Sequence, residues 1–290
     1  MTVPLLDICD SNLQLWCGDD PLRSPGYALL QGDRYSFGNP ARSAARLRPR
    51  DINTRFWWQL NTEPLQPALG PARHSADMVH AHLLDIHRQG GEPAEVMLAV
   101  SGSMQREQLS LLLGIVQACP FDAVGLVNRS VALGSLYGAA GRLFHLELQL
   151  HQAVLSELAP DGDRIQLSRT TPLPGCGLLQ LQERLVEIIA AAFIRQTRFD
   201  PRRKAASEQA LYNALPAALA RLRDEPETNI EVEGYRARLG RRDLLEAPRR
   251  LFDSARECLG DAGGGTVLAE PLAALLPGLA EAFPGIVLTG

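Results

Sequence analysis

The sequence predicts an α/β protein built as two similar lobes around a central cleft. Three observations carry that prediction. Short strand-like runs alternate with helical apolar stripes along the whole chain. The order of these elements begins again after residue 141. The 290 residues are 46% hydrophobic and 21% charged, enough for the cores of two medium-sized lobes. The expected division is a first lobe over residues 1–141 and a second over 142–290.

The first lobe opens with a meander of short strands. Val3–Cys9 is an apolar run with Asp7 inside it, and Leu13–Cys17 alternates. Gly18–Pro21 is turn chemistry, and Tyr27–Leu30 and Arg34–Phe37 flank a turn at Gly32-Asp33. A short helix is expected before Pro49, a strand carrying Phe56, Trp57 and Trp58 between Thr54 and Gln59, and a Pro-rich loop over 61–71. Met78, Val79, Leu83 and Ile86 set a helical stripe between His74 and Gln89, with Ser75 as its expected cap. A buried strand (95–100), a helix (104–117), a second strand (123–127) and a closely packed helix (130–141) complete the lobe.

The second half repeats the sequence of elements. Phe144–Leu150 alternates strictly, with Leu146, Leu148 and Leu150 on one face and His145, Glu147, Gln149 and His151 on the other or beyond it. That polar row suits a catalytic or metal site, and equally the solvated face of a half-buried strand. Two further strands follow, joined at Asp161-Gly-Asp163. A helical and hairpin insertion is expected over about 178–259, with a hairpin turning at Gly234. A strand (266–269), a helix (272–283) and a last strand (286–289) close the lobe. The helix that ends the first copy has no counterpart, so the final helix of the fold is expected to be missing.

Composition narrows the function. The formal net charge is −4 and Lys204 is the only lysine, so no global basic field invites nucleic acid. Five scattered cysteines without C-x-x-C spacing read as buried free thiols of a reducing compartment. No signal segment and no bilayer-length apolar run is present, so a cytoplasmic protein without membrane insertion is expected.

The duplicated order of strands and helices resembles the actin-like ATPase superfamily, a duplicated ribonuclease-H-like two-lobe fold, and most closely the Hsp70 nucleotide-binding domain. Local matches are Val100-Ser-Gly-Ser-Met-Gln-Arg-Glu-Gln-Leu109, Val124-Gly-Leu-Val-Asn128, Phe37-Gly-Asn39, Asn53-Thr-Arg55 and Gly177-Leu-Leu-Gln-Leu-Gln-Glu183. The family's chemistry does not follow its fold here. The first phosphate hairpin, normally Asp-x-Gly-Thr-x-x-Ser, falls on Asp7-Ile-Cys9-Asp10-Ser11-Asn12-Leu13. Asp7 matches, but Cys9 replaces the glycine, and Asp10 puts an anion where threonine meets phosphate. The second, normally Asp-x-Gly-Gly-Gly-Thr, falls on Glu147-Leu-Gln149-Leu-His151-Gln152 without one glycine. The cleft Glu falls at Arg129, the catalytic Lys at Thr54, and the adenosine loop at Ala269-Glu270-Pro271.

The resemblance therefore implies a non-catalytic binding or scaffold protein with lost or weak nucleotide binding, acting through an unidentified protein partner or self-association and needing no cofactor. Two alternatives stand beside it. One is a divergent ATPase or phosphotransferase using Asp7, Asp10 and Glu147 with a divalent ion and ATP or ADP. The other is a cytoplasmic adaptor of an envelope or pilus-assembly system. Asp7 and Glu147 are the candidate catalytic carboxylates. Asp10, Ser11, Asn12, Gln149, His151, Gln152 and Glu270 are the further cofactor-binding candidates.

No metal site is expected. His145 and His151 stand ~20 Å apart on an extended strand, at ~3.3 Å per residue, and His145 with Glu147 lacks a third ligand. His80, His82 and His87 are expected to be solvated. Ser101 reads as a helix cap or a nucleophile, Gly263-Gly-Gly265 as a flexible turn, and the clusters Arg195–Lys204 and Arg236–Arg250 as a solvated surface or a docking face for an acidic partner. One of Trp57 and Trp58 is expected to be exposed.

Overall fold

The structure, a computed structural model, describes residues 3–137, 141–260 and 265–289. The chain divides into two compact units, Met1–Gly138 and Ala139–Gly290. Both are mixed α/β.

In the first unit the strands are β1 (Leu5–Ile8), β2 (Leu13–Trp16), β3 (Leu22–Ser24), β4 (Ala28–Gln31) and β5 (Arg34–Phe37), followed by helix α1 (Gly38–Ser43). Then come β6 (Ile52–Asn53), β7 (Pro64–Leu69), β8 (Ala72–His74), α2 (Ser75–Gln89), β9 (Glu95–Val100), α3 (Arg106–Gln117), β10 (Asp122–Asn128) and α4 (Arg129–Gly134). The main sheet runs β10-β9-β1-β2-β3. Its first three strands in the chain pair antiparallel, and β9 and β10 add in parallel to β1. Leu6 and Ile8 of β1 alternate into the core, and α2 lays Met78, Val79, Leu83 and Ile86 against it. Such burial, at roughly 1.5–3 kcal/mol per fully buried large apolar side chain, is what holds this helix on its sheet.

The second unit contains β11 (Arg142–Leu148), β12 (Gln152–Asp161), β13 (Arg164–Pro174), α5 (Leu178–Thr197), α6 (Ala205–Asp224), β14 (Glu227–Val232), β15 (Tyr235–Gly240), α7 (Arg249–Leu259), β16 (Gly265–Ala269), α8 (Leu279–Ala282) and β17 (Val287–Leu288). Its main sheet runs β13-β12-β11-β16-β17. Here too the first three strands are antiparallel and the last two parallel to the first. Counted within each sheet in chain order, both read 3-2-1-4-5, with the same strand directions. A second core under α5 and α6 gathers Ile189, Phe193, Leu215 and Leu219 with Ile230 and Leu239 of the β14–β15 hairpin. That hairpin turns at Glu233-Gly234, both with positive φ (49° and 81°), the geometry of a type I′ turn.

Several expected elements differ. Thr54–Gln59 is a turn, because the Asn53 side-chain oxygen accepts from the N–H groups of Arg55 and Phe56 and folds the chain back. Phe56 and Trp57 consequently both enter the core and Trp58 is 39% exposed. The 61–71 loop contains β7. Ser75 does not cap α2; its hydroxyl ties down Gln59 and Asn61, while the Asp77 carboxylate accepts from the N–H groups of Arg73 and His74. Helix α3 starts at Arg106, where the Gln108 side chain accepts from Gln105 N–H, so Ser101 is not its cap. The 272–283 stretch is a 3-10 turn and the short α8, since Pro277 lacks a donor and Gly278 takes a φ of 82°. The expected helix 130–141 is helical over Arg129–Gly134; its residues 138–140, and Gly263-Gly264, lie outside the described residues.

Candidate functional site

The first hairpin is closed by its own backbone. Asn12 N–H donates to Cys9 C=O at 2.9 Å, and Gly26 N–H caps the Asp10 carbonyl at 2.7 Å. A Cβ on Gly26 would stand 2.9 Å from that carbonyl oxygen, so the chain at residue 26 packs directly over the turn. Asp10 and Ser11 are buried, and the Ser11 hydroxyl lies 3.2 Å from Cys9 Sγ. Asp10, Arg42 and Arg46 all act on the buried Tyr27 hydroxyl, whose pKa burial pushes up to about 12. Asn12 is half-buried at the turn's end.

Asp7 projects from β1, and Arg129 takes both of its carboxylate oxygens. Nε donates to Oδ1 and an Nη to Oδ2, each at 2.7 Å. The side chains are 16% and 8% exposed. Arg129 opens α4 directly after parallel strand β10, which carries it to the end of the sheet where β1 also ends. A bidentate guanidinium clamp sets a positive charge against the carboxylate and engages one acceptor site on each oxygen.

The second hairpin is filled as well. Gln149 N–H donates to Gln152 C=O, and the first amides of α5, Leu178 and Leu179, donate to the carbonyls of Gln149 and Leu150. The helix N-terminus that could hold an anion is thus spent on the loop's own backbone. Side chains continue the closure: Gln152 Nε2 donates to Gln149 Oε1 at 2.8 Å, and Gln149 Nε2 to Glu147 Oε1 at 2.5 Å. His151 is half-buried in this loop. Gly177 permits the approach, since a Cβ there would stand 2.4 Å from the His151 carbonyl carbon. Gly177→Ala is expected to destabilise the second unit by about 1–3 kcal/mol by overpacking, measured by urea unfolding followed by circular dichroism.

The polar face of β11 is not solvated. His145 and Glu147 are fully buried and Gln149 is 8% exposed. His145 Nε2 lies 2.9 Å from Oε1 of Glu270, the residue that follows β16. The parallel register aligns His145 with Leu268, so Glu270 falls two residues on, beside Glu147. Ligand atoms of His145, Glu147 and Glu270 lie within 4.8 Å of one another. Glu270 thus brings a third side chain with a ligand atom beside His145 and Glu147, and the sequence alone could not place it there.

His82 is fully buried between Trp57 and Ser24, and His87 is buried with its Nε2 3.0 Å from the Pro93 carbonyl, so neither is solvated. Ser101 is buried, its hydroxyl 3.0 Å from that of Ser103. In the second arginine cluster Arg236 pairs with Glu231, Arg238 with Glu227, Arg241 with Glu281 and Arg249 with Glu246. Acids on the same surface therefore offset this patch. None of the five cysteines forms a disulfide; Cys17 is exposed, and burial pushes the Cys119 thiol up to about 11. Among the described residues no helix is long and apolar enough to cross a membrane.

Comparison with protein-family models and with curated proteins finds no match to the chain.

Proposed function

We propose that the chain is a degenerate member of the Hsp70-like, actin-like ATPase group, a duplicated ribonuclease-H-like protein that has given up ATP hydrolysis and serves as a protein-binding or scaffold module. The recurrence of the 3-2-1-4-5 sheet order in both units supports the fold. The observation that carries the loss of catalysis is the Asp7–Arg129 clamp. The one acidic residue that matches the family's first phosphate hairpin is committed to an internal cation. The second hairpin supports the same conclusion, since glutamine side chains and α5 amides close the space a glycine loop would leave for phosphate.

A binding role finds support in β10. It is an edge strand of its sheet, and Val124 and Leu126 on it are 44% and 36% exposed. An edge strand with exposed apolar residues is a template for pairing with another chain.

Thermal melting with and without ATP and Mg²⁺ tests the proposal. No shift is expected. A ligand at 100 times its dissociation constant stabilises the native state by about 2.7 kcal/mol. A clear nucleotide-dependent rise in the melting temperature overturns the reading and restores the ATPase alternative.

A further inference from the structure

The cluster His145–Glu147–Glu270 is built more carefully than a chance meeting of polar groups on a sheet. Two members alternate on β11, the central strand of the second unit's main sheet. The third comes from the end of β16, which the parallel register places alongside. His145 and Glu147 are fully buried. One ligand atom from each of the three side chains lies within 4.8 Å of the other two.

We propose that His145, Glu147 and Glu270 bind one divalent transition-metal ion of the zinc class. The donor set selects the metal. Imidazole nitrogen with two carboxylates suits Zn²⁺ and its first-row neighbours, while Mg²⁺ and Ca²⁺ favour oxygen alone. The spacing is compatible: ligands ~2.1 Å from a tetrahedral ion stand ~3.4 Å apart, and the ligand atoms of this trio lie within 4.8 Å of one another. The His145–Glu270 hydrogen bond of 2.9 Å is the contact the ion would replace.

Two surrounding features point the same way. Gln149 donates to Glu147 Oε1, the outer hydrogen bond that fixes a ligating carboxylate. Ser156 stands directly across from His145 in the β11–β12 pairing, on the same face. It is fully buried, and its hydroxyl has no hydrogen-bond partner among the described residues. Three protein ligands leave a coordination position for water, and a water on the ion meets the need of this hydroxyl. The site rests on residues of the second unit alone and does not depend on whether nucleotide binds.

The test uses the full chain without a histidine tag, freed of metal by chelation and titrated calorimetrically with ZnCl₂. One saturable site per chain is expected. A visible absorption spectrum of low-symmetry Co²⁺ is expected when cobalt replaces zinc. Glu270→Gln is expected to weaken zinc binding by more than about 100-fold, beyond the ~10–100-fold cost of losing an outer partner. His80→Ala, on α2 of the first unit, is expected to leave it unchanged. The wild-type titration decides even if a variant fails to fold. No saturable binding overturns the proposal, and so does binding that survives both Glu147→Gln and Glu270→Gln in variants with native circular dichroism.

Discussion

Arg129→Met is expected to destabilise the first unit by about 3–5 kcal/mol, the cost of leaving one member of a buried ion pair without its partner. Asp7 would stand in a site where it is 16% exposed, with no guanidinium to meet either oxygen. The reverse change, Asp7→Leu, is expected to be destabilising as well, because the Arg129 side chain, 8% exposed, loses the bidentate contact to both carboxylate oxygens. The double variant is the informative one. Replacing both members of a buried pair by apolar groups of similar volume is often neutral or favourable by 1–4 kcal/mol. The two single losses are thus expected to fail to add, with an interaction energy of several kcal/mol in the cycle.

All three tryptophans, Trp16, Trp57 and Trp58, lie in the first unit, so their fluorescence during urea unfolding follows this unit in a chain where two units can unfold separately. Additive losses would mean that the two residues act independently, and the clamp would no longer support the proposed loss of catalysis.

Much of the fold was legible because it rests on local signals. The alternation of Phe144–Leu148 predicts β11, and the stripe of Met78, Val79, Leu83 and Ile86 predicts α2. The hairpin at Gly234 follows from its turn chemistry. What failed did so where side chains redirect the backbone or where distance in sequence hides contact. Asn53 makes a turn of a segment whose aromatics read as a strand. Alternation shows that His145 and Glu147 share a face, but not that both faces of β11 are buried. The Arg129–Asp7 pair spans 122 residues and the His145–Glu270 pair 125. Nothing in the local pattern of either member announces its partner; only the parallel register of β9 and β10 on β1, and of β16 on β11, brings them together. The glutamines that close the second hairpin were visible as missing glycines, though not as a hydrogen-bonded chain.

His82 supplies the second large effect, in the pH dependence of stability. Its ring is fully buried on α2, stacked on Phe37 at 4.7 Å. Trp57 Nε1 donates to its Nδ1 at 3.0 Å. Indole nitrogen can only donate, so Nδ1 carries no proton, and Nε2–H donates to the Ser24 hydroxyl at 2.8 Å. Protonating Nδ1 would set two N–H groups against each other and bury a charge among aromatic rings. Burial accordingly lowers the His82 pKa from 6.5 to about 3. The sign follows from proton binding. Below pH 6.5 the unfolded chain takes up a proton at this residue that the native state refuses until about pH 3, so acid favours unfolding across that window. The slope approaches about 1.4 kcal/mol per pH unit. From pH 6.5 to pH 5 the contribution is a loss of about 1.5 kcal/mol. His82→Gln can still accept from Trp57 and donate to Ser24, yet it does not titrate. Its stability, again read by tryptophan fluorescence in urea, is expected to be lower at neutral pH, because the amide fills the ring's place poorly. It should also fall less steeply than the wild type between pH 6.5 and 5, by the same ~1.5 kcal/mol. Parallel pH profiles for the two proteins would show that His82 is protonated in the native state like any solvated histidine, and that the Trp57–His82–Ser24 chain does not hold the imidazole neutral.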